Sequence, residues 1–141
     1  SILYRSRLFR SAPIPESDQP WFTNAVIVVR TDLSPLALLA LLHQVERSFG
    51  RVRAKKWEPR VIDLDLLAYG DQRSAGTPKL PHPRMHQRAF VLMPLADIAP
   101  AWVHPVLRKT PSDLIMGLGS KQAIEPLEIS KYPINWCPTL L

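Results

Sequence analysis

Two carboxylates two residues apart, Asp63 and Asp65, interrupt an otherwise apolar run from Val61 to Leu67. In a strand, side chains alternate across the sheet, so both aspartates share one face while Ile62, Leu64 and Leu66 share the other. Their Cα atoms are then about 7 Å apart. Like charges so placed repel, burial worsens the repulsion, and aspartate is a poor strand former in any case. A cation resolves the conflict. Mg2+ commonly takes one or two protein carboxylates and completes its shell with water and phosphate oxygens. Two ions can also be clamped between a carboxylate pair and a triphosphate. Taken alone, the pair fits a half-exposed strand with a solvated outer face better than a metal site, because such alternation is common.

The preceding stretch adds the opposite charge. Between Arg51 and Arg60 stand Arg51, Arg53, Lys55, Lys56 and Arg60 against the single carboxylate of Glu58. Guanidinium groups are planar donors matched to phosphate oxygens, and positive charge stabilises a phosphoryl group in transfer. Trp57 sits among them, able to stack on a flat heterocycle or to shield a cation. Glu46, just before Gly50, could brace a loop arginine; its simpler reading is an exposed helical carboxylate. A third cluster, Pro81-His82-Pro83-Arg84-Met85-His86-Gln87-Arg88-Ala89-Phe90, suits polyphosphate better than zinc, because no acidic or thiol partner is near in sequence. Phe90 reads first as a core aromatic and second as a stacking platform.

These residues need elements to hold them. Residues 2–10 read as a strand, and 11–20, with three prolines, as a loop. Asn24 to Thr31 contains Ala-Val-Ile-Val-Val, a strand expected to be buried on both faces. Ser34-Pro35 starts a helix, with serine as N-cap and proline at its first position. The helix carries Leu38, Leu39, Leu42, Val45 and Phe49 at helical spacing and ends at Gly50. Val61 to Tyr69 is a second strong strand. Short helices are expected around Met85 to Ile98 and over Pro111 to Leu118, the latter capped by Thr110. The tail from Pro126 has no clear period and is expected to dock on the surface or stay loose. Strands followed by helical pieces indicate an α+β sheet with helices on one face.

Composition narrows the classes. The chain has 141 residues, 46% hydrophobic and 21% charged, enough for one domain with a single core. No apolar run reaches the roughly 18 residues of a membrane span, and the first ten residues lack a signal peptide's apolar block. A single cysteine, Cys137, precludes an internal disulfide, which suits a reducing cytoplasm. The net charge of +6 attracts anions. A nucleic-acid module would present aromatic residues on the exposed strand face, where this chain offers Asp63 and Asp65.

The motifs together resemble the 6-hydroxymethyl-7,8-dihydropterin pyrophosphokinase family. Gly50-Arg51-Val52-Arg53 with Trp57-Glu58-Pro59-Arg60-Val61-Ile62-Asp63-Leu64-Asp65 is similar to its signature, and Pro81 to His86 with Arg88 to Leu92 to its second block. Asp18 to Phe22 with Asn24-Ala25, and Phe9 to Pro13, resemble its pterin-side stretches. The resemblance runs from about residue 6 to 110 and implies a ferredoxin-like α+β sandwich with a mixed or antiparallel sheet. It implies transfer of pyrophosphate from ATP to the pterin alcohol, with two Mg2+ ions held by Asp63 and Asp65. Arg51 and Arg60 would steady the phosphates, with Trp57 helping to close their loop. Arg53, His82, Arg88 and Glu46 would meet ATP. Phe22 and Phe90 would sandwich the pterin, Asn24 would bind its edge, and Ser11 and Ile14 would line the pocket.

The sequence departs from the pattern in three places. The 53–57 loop is one residue shorter than in some members, Pro83 follows His82, and the family's leading strand-helix unit has no counterpart before Ser1. Residues 1–122 are expected to form a partial domain and 123–141 an extension. The chain is then a fragment, a truncated product, or a protein that fills the first strand's place with its own tail or a second copy. Catalytic impairment, or service as an interaction partner, is the rival reading.

Overall fold

The computed structural model describes residues 1–12, 21–50, 62–119 and 122–127. Strands β1 (Ile2–Arg5) and β4 (Ile27–Val29) form an antiparallel pair. Strand β2 (Phe9–Ser11) is the centre of a three-stranded antiparallel sheet, flanked by β3 (Phe22–Asn24) and β5 (Ile124–Pro126). Helices α1 (Pro35–Ser48), α2 (Ala89–Ile98) and α3 (Pro111–Met116) complete an α+β fold, in the class that the ferredoxin-like expectation names. No helix among the described residues is long and apolar enough to cross a membrane.

Sequence patterning fixes the helix ends well. The Ser34 hydroxyl accepts from Ala37 N–H at 3.2 Å, Pro35 opens α1, and Gly50 takes a left-handed φ of +87° just past its end. Thr110 and Asp113 form a reciprocal capping box on α3. The expected helix over 85–98 divides into a short 3₁₀ turn, Met85–Gln87, and α2. Arg88 lies between them with extended backbone (φ −119°, ψ 108°).

The strands depart from expectation. The run from Asn24 to Thr31 is not one strand buried on both faces. It splits at Ala25-Val26, where Ser6 takes both backbone partners: Ser6 N–H donates to Val26 O, and Ser6 Oγ accepts from Val26 N–H, each at 2.9 Å. Ile27 and Val29 are 41% and 39% exposed; among the described residues their only strand neighbour is β1, itself exposed throughout. Residues 2–10 divide at the same junction. There Arg7 holds Asp97 of α2 by a bidentate guanidinium contact and a backbone N–H.

The second correction concerns residues 62–68. They pair with no strand among the described residues. A strand needs a ladder partner, and two of the backbone groups here are taken by other partners. Leu64 N–H goes to a Glu46 carboxylate oxygen at 2.7 Å, and Leu67 O accepts from His82 N–H at 2.7 Å.

The core gathers under α2. Met85 and Leu92 are wholly buried; Leu67, Phe90, Ile98 and Trp102 pack against the cluster of Val26, Met85, Val91 and Leu95. Phe49, expected on the buried face of α1, is exposed at the helix end. The tail from 123 contributes β5, whose register sets Ile124 opposite Ser11 and Pro126 opposite Phe9.

Candidate functional site

The 62–66 segment keeps the alternation read from the sequence without being a paired strand. Ile62 is buried, Asp63 and Asp65 are exposed, and Leu64 and Leu66 are half-buried. Both carboxylates line a cavity of about 460 Å3, within the range that takes a small ligand. His82, Pro83 and Arg88 line it too, together with Leu39, His43 and Glu46 from α1 and Pro78 and Lys79 from the loop before His82. The hydrogen bond from His82 N–H to Leu67 O sets the basic block beside the acidic one. One wall therefore carries negative charge and the facing groups include cations, an arrangement suited to an anion bound through a metal.

Glu46 holds the acidic wall in place. It is 2% exposed, and its Oε1 accepts from the N–H of Leu64, the residue between the two aspartates. This overturns the simpler reading of Glu46 as a solvated helical carboxylate. Leu39, His43 and Glu46 recur at spacings of four and three, which puts them on one face of α1. That spacing is the sequence signal for His43 and Leu39, which carry no motif of their own.

His82 is poised as a neutral donor. Its Nδ1 accepts from Arg84 N–H at 3.1 Å, so the ring proton resides on Nε2. Burial pushes its pKa below the ordinary histidine value; Asp65 opposes that shift, while Arg88 and Arg84 add to it. Nε2–H can then donate to a phosphate oxygen at neutral pH.

Asp63 and Asp65 fit Mg2+ by chemistry: two hard carboxylate ligands, both exposed, on one side of one segment, beside a cavity with room for further oxygen ligands. Among the described residues no group of three or more His, Cys, Asp or Glu could hold a metal ion. Protein ligands alone would thus leave most of an octahedral shell to water and substrate oxygens.

The remaining residues named by the resemblance form a second group. Ser11 on β2 is buried, and Asn24 on β3 donates to its hydroxyl at 2.8 Å. Phe22 is 52% exposed, next to Trp21, whose ring lies 4.4 Å beneath the Arg10 guanidinium. Phe90 is half-buried against the core, with the Arg88 guanidinium 5.4 Å from its ring centroid. Helix α2 packs on β2 and β3, so these residues belong to one packed unit. They are not among the residues lining the cavity that holds Glu46, Asp63, Asp65, His82 and Arg88. Ile14, Arg51, Arg53, Trp57 and Arg60 lie outside the described residues.

An α+β domain that turns paired aspartates and a histidine-arginine pair toward one cavity is the class that this fold and site define. Sequence comparison then specifies it. The family model described as 7,8-dihydro-6-hydroxymethylpterin-pyrophosphokinase matches residues 1–100. The chain belongs to that family. It is 47% identical over 116 residues to the 2-amino-4-hydroxy-6-hydroxymethyldihydropteridine pyrophosphokinase of Synechocystis sp., covering 82% of this chain and 56% of that protein. The protein of the same name from Methylorubrum extorquens is 47% identical over 100 residues, 70% of this chain and 63% of the relative. That from Pseudomonas aeruginosa is 48% identical over 96 residues, 67% and 59% respectively. The chain thus spans 56–63% of the length of these relatives.

Proposed function

We propose that the chain transfers the pyrophosphoryl group of ATP to 6-hydroxymethyl-7,8-dihydropterin, giving the pterin diphosphate and AMP, as a step of folate biosynthesis. The observation that carries this reading is the convergence of Asp63, Asp65, His82 and Arg88 on one cavity in a chain of the pyrophosphokinase family.

In the reaction, the pterin hydroxyl oxygen bonds to the β-phosphorus of ATP. The bond from that phosphorus to the α-bridging oxygen breaks, AMP leaves with that oxygen, and the hydroxyl proton is released. Such a displacement depends on positioning and charge neutralisation. Two Mg2+ ions held by Asp63 and Asp65 would supply the neutralising charge on the triphosphate. His82 donates through Nε2 to a phosphate oxygen, and Arg88 adds a guanidinium beside it. Glu46 faces the same cavity and fixes the segment between the two aspartates. Phe22 and Phe90 supply aromatic faces for the flat pterin ring, while Asn24 and Ser11 supply the polar edge contacts. Arg51, Arg53 and Arg60 would clamp phosphates, Trp57 would help exclude water, and Ile14 would line the pterin pocket.

Both co-substrates are water-soluble, so the cytoplasm fits this chemistry. Among the described residues 62–68 pair with no strand, which favours one second reading, a chain that binds ATP but turns over poorly. Product analysis separates the two. AMP formed only when ATP, Mg2+ and the dihydropterin are all present supports transfer, while ATP binding without AMP supports the second reading.

A further inference from the structure

Helix α2 begins without a cap of its own. Arg88 stands at its N-cap position and makes no side-chain hydrogen bond there, and no acidic residue lies in the first turn. Free N–H groups at a helix start need an acceptor. Gln122, distant in sequence, supplies it: its Oε1 accepts from Ala89 N–H at 2.8 Å. The other end of the same amide, Nε2, donates to Gln87 O, also at 2.8 Å. One side chain thus clasps the backbone on either side of Arg88. Only a group with one donor and one acceptor can do both, which glutamine is and glutamate or methionine is not.

Gln122 is itself held. Ala12 N–H donates to Ala123 O at 3.0 Å, β5 continues the ladder along β2, and Leu127 N–H closes it on Leu8 O at 2.8 Å. Strand β2 carries Ser11, which meets Asn24. Residues 122–127 therefore join the Ser11–Asn24 pair to the Arg88 wall of the cavity.

We infer that Gln122 is a positioning residue for Arg88: its amide fixes the extended backbone that delivers the guanidinium to the cavity. This rests on the reading of the cavity as a nucleotide site.

The test is Mg2+-ATP binding to the full chain, titrated without a pterin so that no turnover occurs. Gln122→Met should weaken ATP binding by about five- to tenfold, the size of coupling between residues in direct contact. In an Arg88→Ala background the same substitution should change affinity by less than about twofold, because its route of action is gone. Gln122→Glu, which keeps the acceptor for Ala89 and loses the donor to Gln87, should fall between wild type and Gln122→Met. If Gln122→Met does not fold, judged by circular dichroism, Gln122→Glu carries the same comparison. Wild-type affinity in the variants, or an equal loss with and without Arg88, overturns the positioning role and leaves the nucleotide reading standing. A folded wild-type chain that binds no Mg2+-ATP overturns both.

Discussion

Replacing Glu46 by alanine should cost the chain more stability than any single exposed charge could. The carboxylate is 2% exposed and accepts from Leu64 N–H at 2.7 Å. A hydrogen bond to a charged group contributes about 1.5–3 kcal/mol. Losing one buried methylene adds about 0.8 kcal/mol. Release of the carboxylate's own desolvation offsets part of this, which brings the net to about 2 kcal/mol. For a domain of this size each kcal/mol lowers Tm by about 2–4 °C, so Glu46→Ala should melt about 4–8 °C below wild type. Glu46→Gln keeps an acceptor oxygen for Leu64 and should lose less than about 1 kcal/mol. Scanning calorimetry on the three proteins decides the matter. A Glu46→Ala chain melting with wild type, or a glutamine variant as unstable as the alanine one, would refute the clasp. The same loosening should raise the Mg2+ concentration needed for half-maximal ATP binding, since Leu64 lies between the two aspartates proposed to hold the metal.

Asp63→Asn and Asp65→Asn should each lower AMP formation by about 100-fold or more, the loss of a metal contribution of several kcal/mol. Both positions are exposed, so the variants should melt close to wild type; normal turnover in either one would remove the metal role. A pH effect should come from His104, which is 4% exposed and accepts through Nδ1 from Val106 and Leu107 N–H. Burial, with His86 adding, lowers its pKa from the ordinary histidine value. Its stabilising contribution is therefore complete above about pH 6.5 and is lost as pH falls through the depressed folded value. His104→Asn, which offers an oxygen acceptor in place of Nδ1, should flatten the fall in urea-midpoint stability between pH 7 and 5. An unchanged slope would exclude His104 as its source.

The elements legible in the sequence were those fixed by local chemistry. Ser34-Pro35, Gly50 and the Thr110 cap need only neighbouring residues to define a helix end, and all three behave as read. The in-out alternation of Ile62 to Leu66 also holds, because it reports which side meets the core. Strand pairing was not legible for 62–68 or for 24–31, since a ladder depends on partners far away in sequence. Serine at position 6 and the carboxylate of Glu46 took up backbone groups that a sheet would have used. The same limit explains Gln122: its amide reaches Gln87 and Ala89 across the fold, and no spacing in the sequence announces that contact. Of the candidate site, Asp63, Asp65, His82 and Arg88 came from motifs and line one cavity. His43 and Leu39 reach it on the face of α1 that their spacing from Glu46 marks, while Lys79 reaches it by loop placement, which carries no signature.

The fate of the terminal phosphate tests the central claim most directly. ATP labelled at its γ-phosphorus, incubated with the chain, Mg2+ and 6-hydroxymethyl-7,8-dihydropterin, should pass its label to the pterin product while ATP labelled at the α-phosphorus yields labelled AMP. Labelled inorganic phosphate with ADP, or no transfer from a folded chain that binds both co-substrates, would contradict pyrophosphoryl transfer at the Asp63–Asp65 site.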